Sequence, residues 1–396
     1  MTNPFVYGEV VPAASFVDRE VEVDRLTRDL LAGQKVFLIS PRRYGKSSLV
    51  RRALDAAERS GALAIEATVS SYSSYVAFLE GYARALISAN AGGDKAAGSA
   101  QPGTRAWLRE LLGGVPHEIR FGPGDESGRV DISFPAARTE RDISLLAQEV
   151  FALPGRIADA ARRPLAIALD EFQAIGSFDG GDAKGARMHQ VEHALRAAVQ
   201  RQRTVGYVFS GSEPTLMERM LGRNRPFYKA GPVMRLEKID ADCFAEFVEA
   251  RFRATRTRAE PGLGAAIVEL AGNLPYDVQR LAHEAWDDAR AMGRRTVGVE
   301  DLHETLKRLL GEHETLFEAT WQRFTLAQRA ALRAAVLEEG RELLSGDVRT
   351  RYRLGGPSTV QASLNALVRE DVLAREGSRY AVVDSLFREW VARHTF

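Results

Sequence analysis

The residues that decide the fold read Leu38-Ile39-Ser40-Pro41-Arg42-Arg43-Tyr44-Gly45-Lys46-Ser47-Ser48-Leu49. They continue an apolar run that begins at Val36, so the stretch predicts a strand, a tight loop and the start of a helix. The loop matches the phosphate-binding pattern G-x-x-x-x-G-K-[ST], except that Ser40 stands where the first glycine would be. Serine is small, but it accepts positive φ angles less readily than glycine, so the pattern is incomplete at this position.

The residue types of this loop suit the chemistry of a triphosphate. Phosphate oxygens need several N–H donors that converge from one side, and a loop running into a helix N-terminus supplies them together with partial positive charge. Gly45 would let the backbone approach closely, Lys46 would reach the β- and γ-phosphates, and the Ser47 hydroxyl would bind Mg²⁺. We therefore predict that a nucleotide is bound by Ser40, Pro41, Arg42, Arg43, Tyr44, Gly45, Lys46, Ser47 and Ser48. The alternative is a strand, turn and helix with an ordinary surface lysine.

A second apolar run, residues 165–169, ends in Asp170 and Glu171. This pattern predicts a buried parallel strand whose carboxylates lie at its C-terminal edge, where an open α/β sheet binds ligands. In a phosphate-binding-loop enzyme the first acid holds the Mg²⁺ shell, so we expect Asp170 and Ser47 at the metal. The second acid, Glu171, would polarise the attacking water. An ordinary Asp-Glu turn at a strand end is the alternative.

Two further segments carry candidate catalytic groups. The run 204–209 predicts another buried strand, and Ser212 follows it, either beside the acids to sense the γ-phosphate or as a cap of the helix that starts at Pro214. The loop 221–229 contains three cations. Arg223, Arg225 or Lys229 would stabilise the charge that develops during phosphoryl transfer, in cis or from a neighbouring subunit; solvated surface arginines are the alternative.

Composition limits the class of protein. The chain of 396 residues is long enough for two or three domains, and its 54 basic and 53 acidic residues leave a net charge of +1, which gives no global attraction to nucleic acid or membrane. The single cysteine, Cys243, fits a reducing cytoplasm and excludes a cysteine-rich metal site. We see no signal peptide and no apolar run near the ~20 residues of a membrane helix, and so expect a cytoplasmic protein.

The order of patterns predicts three domains, namely a P-loop domain at 1–238 with an insertion at about 91–140, a helical domain at 239–322 and a last module at 323–396. Asp18 is expected to cap the first helix, and 117–122 with 128–134 to form a hairpin. From Asp240 onward the second domain is predicted to be all-helical, with a left-handed turn at Gly272 and Asn273.

The last module predicts a winged helix. Its helices are expected at 326–337, 345–353 and 357–369, and its hairpin strands at 372–375 and 380–383. The third helix of such a fold can enter the DNA major groove, and here it offers Gln361 and Asn365. Eleven arginines against nine acids in residues 325–396 are a weak phosphate footprint, so DNA and a protein partner both stay open.

Taken in order, several motifs resemble those of one family. They are Asn3-Pro4-Phe5, Phe16-x-Asp18-Arg19-Glu20-x-Glu22, Arg42-Arg43-Tyr44-Gly45-Lys46-Ser47, Asp170-Glu171-Phe172-Gln173, Ser210-Gly211-Ser212-Glu213, Arg225-Pro226-Phe227-Tyr228 and Pro275-Tyr276-x-x-Gln279. The combination resembles the prokaryotic AAA+ ATPases of the archaeal-ATPase (STAND-like) group, relatives of the archaeal origin-recognition ATPases. The resemblance covers nearly the whole chain.

This resemblance implies an α/β P-loop ATPase domain with a parallel sheet flanked by helices, then an all-helical lid and a C-terminal winged helix. It implies ATP or ADP as ligand and Mg²⁺ as cofactor. It also implies that Phe16, Val17 and Arg19 border the adenine, that Ser212 is the sensor-1 residue and that Pro275 belongs to the lid motif. Asn273 stands where that motif usually has glycine, and Arg280, next to the motif, is not a clear sensor-2 arginine.

Three functions compete at this point. The first is an ATP-hydrolysing switch whose nucleotide state repositions the lid and winged helix. The second is an ATP-dependent DNA-binding factor, such as an initiator or mobile-element ATPase, and the third is a scaffold that keeps ATP without hydrolysis. A protein partner or a homo-oligomer is compatible with each.

Overall fold

A computed structural model describes residues 2–12, 15–92, 118–121, 130–134, 139–178 and 185–394. The chain divides into two compact units. One contains residues 19–237, and the other contains residues 1–18 together with 238–396.

The first unit is built on a parallel sheet. Its strands are β1 Lys35–Ile39, β2 Leu63–Thr68, β5 Leu165–Asp170, β6 Val205–Gly211 and β7 Val233–Arg235, in the order β2-β5-β6-β1-β7. Every residue of β5 and β6 is buried, which explains why their sequences are apolar without alternation. The predicted α/β fold with a parallel sheet is confirmed. Because β6 lies between β1 and β5, the ends of these three strands meet at one edge of the sheet.

Helices accompany the strands of this unit, which also contains a hairpin. The helices are α1 Glu20–Leu31, α2 Lys46–Arg59, α3 Tyr75–Gly92, α4 Glu140–Ala161, α5 Gly185–Arg201 and α6 Pro214–Met220. The predicted hairpin is present as β3 Glu118–Phe121 paired antiparallel with β4 Val130–Ser133. Its turn, like most of the predicted insertion at 91–140, lies outside the described residues.

Aromatic packing fixes the chain beneath the site. Phe209 of β6 packs against Phe37 of β1 with ring centroids 4.9 Å apart, and against Phe172 with centroids 4.6 Å apart. Phe227 packs on all three rings. Phe172 follows Glu171 directly, so this cluster anchors the segment that carries the predicted catalytic acid.

The expected cap at Asp18 is wrong. Helix α1 begins at Glu20 with Arg19 in the N-cap position and no side-chain cap. Asp18 has a φ of 48°, so it forms a left-handed turn before the helix. The carboxylate of Glu20 instead accepts a hydrogen bond from the backbone N–H of Arg19 at 3.1 Å.

The second unit contains the helices that follow residue 238. They are α7 Ala241–Ala254, α8 Leu263–Leu270, α9 Pro275–Ala291 and α10 Val299–Gln322. The prediction that this segment is all-helical is wrong in one detail, since β8 Arg258–Ala259 pairs in parallel with β9 Thr296–Val297. Two-residue strands are too short to leave a periodic pattern in the sequence. The left-handed turn is present, with φ of 62° at Gly272 and 56° at Asn273.

The C-terminal module has the predicted three helices and hairpin. They are α11 Leu326–Leu337, α12 Gly346–Arg351, α13 Pro357–Arg369, β10 Leu373–Glu376 and β11 Arg379–Val382, followed by α14 Ser385–His394. Helix α14 was not predicted. It packs Phe387 and Trp390 on Phe317 of α10, with ring centroids 5.5 and 6.2 Å apart, so the helices before residue 323 and the module after it share one hydrophobic core.

Within the described part of the chain, no helix has both the length and the apolar composition that crossing a membrane requires.

Candidate nucleotide-binding site

The loop between β1 and α2 has the backbone that its sequence predicts. Gly45 takes the N-cap position of α2 with a φ of 83°, and no heavy atom beyond its chain neighbours lies within 4 Å of where a Cβ would be placed. Its conformation, and not lack of space, therefore favours glycine there. Ser40 is buried and does not take a positive φ, so serine replaces the first glycine of the pattern without backbone strain.

Lys46 connects the phosphate-binding loop to the two acids that follow the apolar run 165–169. Its Nζ contacts Oδ1 of Asp170 and lies 3.3 Å from Oε1 of Glu171. The lysine is 6% exposed and Asp170 is 8% exposed, so the ion pair is largely removed from water. The Ser47 hydroxyl donates to Oδ2 of Asp170 at 3.4 Å. The structure thus joins the loop and the acids that the sequence assigned to one site.

Both acids favour the charged form. Burial by itself would raise the pKa of Asp170, but the charge of Lys46 and hydrogen bonds from Lys46 and Ser210 outweigh it, and the pKa lies below its ordinary value. The Ser210 hydroxyl donates to Oδ1 of Asp170 at 2.6 Å. Glu171 behaves in the same way. Burial raises its pKa, but the charge of Lys46 and the hydrogen bonds from Ser212 and Gln173 lower it by more, so the pKa lies below its ordinary value.

Ser212 lies at the acids. Its hydroxyl donates to Oε2 of Glu171 at 2.7 Å, whereas the N-cap residue of α6 is Glu213, which makes no side-chain cap. Of the two interpretations of Ser212, the geometry therefore favours the one beside Glu171. Sequence reasoning gave no role to Gln173, whose Nε2 donates to the same oxygen of Glu171. The signals for it were its place two residues after Glu171 and its inclusion in the motif Asp170-Glu171-Phe172-Gln173.

The two predicted arginines differ in environment. Arg223 is exposed. Arg225 donates through Nη2 to Oε1 of Glu192 on α5 at 2.7 Å, and the Glu192 side chain is completely buried. Burial raises the pKa of Glu192, and the charge of Arg225 offsets this only in part. Arg225 thus ties the loop to α5, and catalytic roles for both arginines stay predictions.

The residues predicted around the adenine fall in both units. Arg19 is buried, donates to Glu22 at 2.8 Å and also donates to the backbone carbonyl of Glu237, so its guanidinium is held within the first unit. Phe16, Val17 and Pro275 belong to the second unit, where Pro275 opens α9. Their contact with a base stays a prediction.

The residues present fit a hard divalent cation. The Ser47 hydroxyl and the Asp170 carboxylate supply neighbouring oxygen donors, which Mg²⁺ prefers. Among the described residues, no group of three or more His, Cys, Asp or Glu side chains could hold a metal ion. This composition suits Mg²⁺ held by one carboxylate, water and substrate phosphates better than it suits an all-protein cage.

Comparison with known proteins concerns the fold and the C-terminal module. A family described as "Probable winged helix domain" matches residues 315–393. No curated protein matches the sequence. A Walker-type ATPase of Pyrococcus abyssi is similar in structure with a TM-score of 0.61 and 18% identity, over 97% of this chain and 99% of that one.

The ORC2 protein of Aeropyrum pernix, solved in ADPNP–ADP complexes, is similar with a TM-score of 0.55 and 15% identity, over 99% of this chain and 96% of that one. At these identities the likeness concerns the fold, and it confirms the architecture that the motifs predicted. The chain therefore has the fold of the archaeal Walker-type ATPases and origin-recognition proteins, with a C-terminal winged helix domain.

Proposed function

We propose that the chain binds ATP with Mg²⁺ and hydrolyses it at the site formed by loop 40–48, Asp170 and Glu171. The observation that carries this proposal is the position of Lys46, buried between two ionised acids at the edge of a parallel sheet. The likeness to Walker-type ATPases supports it at the level of the fold. A scaffold that only holds nucleotide would not need the second acid, Glu171, beside the lysine.

The chemistry follows from the roles of the side chains. The backbone N–H groups of the loop and the charge of Lys46 bind the triphosphate. Ser47 and Asp170 would hold a metal ion, which would neutralise phosphate charge. Glu171 accepts a proton from the attacking water as the water oxygen bonds to the γ-phosphorus. The bond from that phosphorus to the bridging oxygen breaks, and ADP and phosphate leave. Ser212 keeps the carboxylate of Glu171 in place.

We further propose that the protein is a switch in which nucleotide state repositions the lid and winged helix. Contacts inside the second unit support this. Lys238 donates to the carbonyl of Gly272 at 3.0 Å and pairs with Oε1 of Glu376 on β10 at 3.2 Å. Arg388 of α14 donates to the carbonyl of Leu270 at 2.9 Å. The turn before Pro275 is thus tied to the winged helix, and a movement of that turn would carry the winged helix with it.

DNA is the second candidate partner, because the C-terminal module matches a winged helix family. Its polar groups are largely engaged within the module. Gln361 donates to both Asn365 and the Tyr380 hydroxyl at 3.0 Å, and Arg379 pairs with Glu376 at 2.7 Å. DNA would have to compete with these contacts, which favours the switch as the first proposal and leaves a protein partner or homo-oligomer as the alternative.

An ATPase assay on the purified full-length chain tests the main proposal. We expect release of phosphate from ATP that requires Mg²⁺ and that disappears in Lys46→Ala. Repeating the assay with duplex DNA separates the candidates, since a DNA-dependent factor should respond to DNA and a DNA-independent switch should not. Binding of ATP without turnover would leave only the scaffold.

A further inference from the structure

Gln173 is a buried polar side chain whose main contact is the proposed catalytic acid. Its Nε2 donates to Oε2 of Glu171, the same oxygen that accepts the Ser212 hydroxyl at 2.7 Å. The other oxygen, Oε1, lies 3.3 Å from Nζ of Lys46. The carboxylate is therefore held through one oxygen, and its second oxygen faces the lysine.

The backbone imposes this contact. Glu171 has φ 50° and ψ 43°, a left-handed conformation that ends β5 abruptly, and a 3-10 helix, Phe172–Ser177, begins at once. The buried ring of Phe172 fixes that helix in the core. The turn brings the side chain of residue 173 back beside residue 171. The opposite orientation of the amide would set its carbonyl against the carboxylate, acceptor to acceptor, so the NH₂ group must be the one that faces Glu171.

The carbonyl group of the Gln173 amide lowers the stability of the fold. Gln173 is 9% exposed, and its Oε1 is buried without a hydrogen-bond partner in the part of the chain that the structure describes. That oxygen lies 2.6 Å from where a Cβ at Gly211 would be, so the amide packs directly on the backbone of β6. A buried carbonyl without a donor lowers stability relative to an apolar side chain of the same length. Gln173 thus loses stability at its carbonyl, and its NH₂ group is used to hold Glu171.

Gln202 of the same unit shows what a structural glutamine looks like. It is 7% exposed, its Nε2 donates to the carbonyl of Phe151 at 2.7 Å, and its Oε1 accepts the Tyr207 hydroxyl at 2.5 Å. Both of its polar groups are satisfied, and both partners are structural. The contrast separates a glutamine that stabilises the core from one that acts on Glu171.

We propose that Gln173 is a positioning residue for hydrolysis, which with Ser212 holds Glu171 by Oε2 and leaves Oε1 directed toward Lys46. This inference rests on the function proposed above, in which the triphosphate and the attacking water lie on the lysine side. Without the amide, Ser212 alone holds the carboxylate, which then spends less time in the productive position. Binding of ATP is unaffected, because the amide acts on Glu171 and not on the phosphate-binding loop.

The test compares Gln173→Met with the matched control Gln202→Met in the full-length chain. For Gln173→Met we expect kcat to fall about tenfold or more, a scale typical of lost positioning. We expect its Kd for ATP, measured by calorimetric titration, to stay within about twofold of wild type, and its Tm to be equal or higher. Gln202→Met should show the reverse pattern, with a lower Tm and an unchanged kcat per folded molecule.

Gln173→Glu is the second variant, since it keeps the shape and sets a like charge against Glu171. We expect it to lose more turnover than Gln173→Met, and it keeps the test decisive if Gln173→Met fails to fold. Wild-type kcat in either Gln173 variant would overturn the inference, as would a parallel loss of kcat, ATP affinity and Tm. A wild-type chain that binds ATP but releases no phosphate would instead overturn the proposed hydrolysis, and this inference with it, before any variant is compared.

Discussion

Lys46 has two roles in the proposed site: it compensates two neighbouring carboxylates, and it attracts the triphosphate. With no phosphate present its charge compensates Asp170 and Glu171, which lie side by side and would otherwise repel each other. A triphosphate offers the same ammonium group a larger negative charge. In the proposed function, nucleotide binding would therefore exchange the partners of Lys46 and release Glu171 from the lysine.

We expect Lys46→Ala to abolish ATP binding or to weaken it severely, because the charge that opposes the triphosphate is lost. Calorimetric titration measures the affinity. Lys35→Ala is the control, since Lys35 in the same unit donates to the carbonyl of Gln202 at 2.8 Å and lies at the far end of β1. Wild-type affinity in Lys46→Ala would refute the assignment of the phosphate-binding loop.

Glu171→Gln should bind ATP but turn it over slowly. The amide keeps the shape of the side chain and loses the proton acceptor, so we expect kcat to fall on the order of 10²-fold or more. Glu80→Gln is the matched control, because Glu80 is an acid of the same unit whose Oε1 accepts the backbone N–H of Phe134 at 2.9 Å. An unchanged kcat in Glu171→Gln would place the base at another residue.

At the scale of elements, the loop after α6 carries two arginines with different expected roles. Arg225 is expected to stabilise the fold, and Arg223 is the candidate for catalysis. Arg225 neutralises Glu192, which is completely buried on α5, whereas Arg223 is exposed. Removing one partner of a buried ion pair leaves an uncompensated charge or forces a proton onto it. The two arginines should therefore differ in what their loss costs.

We expect Arg225→Met to lower the free energy of unfolding by about 3 kcal/mol, the scale of a broken buried pair. Arg223→Met should change it by less than about 0.5 kcal/mol, as is usual at an exposed position. Chemical denaturation measures both. Equal effects of the two substitutions would show that the pair with Glu192 does not stabilise the loop.

Because Arg223→Met should fold normally, it also tests the predicted catalytic cation. If Arg223 acts across a subunit boundary, mixing this variant with Glu171→Gln should restore part of the activity, since each chain supplies what the other lacks. Specific activity that stays flat over a wide dilution series would exclude action in trans.

The sequence predicted the elements of the site better than it predicted their arrangement. The apolar runs ending at Ile39 and Asp170 identified two strands and their chemistry, because buried parallel strands and phosphate loops have strong local patterns. The position of β6 between them depends on pairing between distant segments and leaves no local pattern. Gln173 was missed for the same reason, since only the left-handed turn at Glu171 brings it to the carboxylate.

At the scale of the molecule, each unit has its own core. In the second unit the core continues from the lid helices into the winged helix, where Trp390 of α14 contacts Phe317 and also Trp321 of α10. The winged helix is therefore packed on the lid and does not hang from a linker. Any partner of its exposed surface is coupled mechanically to the lid.

DNA binding by this surface would be electrostatic in large part, and salt reveals it. If the winged helix holds phosphates, Arg349→Ala with Arg353→Ala should flatten the dependence of log K on log salt by roughly two units of slope. The control is Arg253→Ala with Arg256→Ala, two exposed arginines outside the module. An unchanged slope in the variant with Arg349→Ala and Arg353→Ala would show that these two residues do not contact DNA phosphates.

The strand order β2-β5-β6-β1-β7 also has a consequence for how the protein is made. Strand β1 emerges from the ribosome before both of its neighbours, which lie far downstream at Val205–Gly211 and Val233–Arg235. Until these strands are synthesised, β1 cannot pair in the sheet. Its apolar side chains then stay exposed to solvent or are covered by a chaperone. In a nascent chain stopped before residue 205, the strand that precedes the phosphate-binding loop should thus have no partner strands. The nucleotide site should form only after these strands have been synthesised.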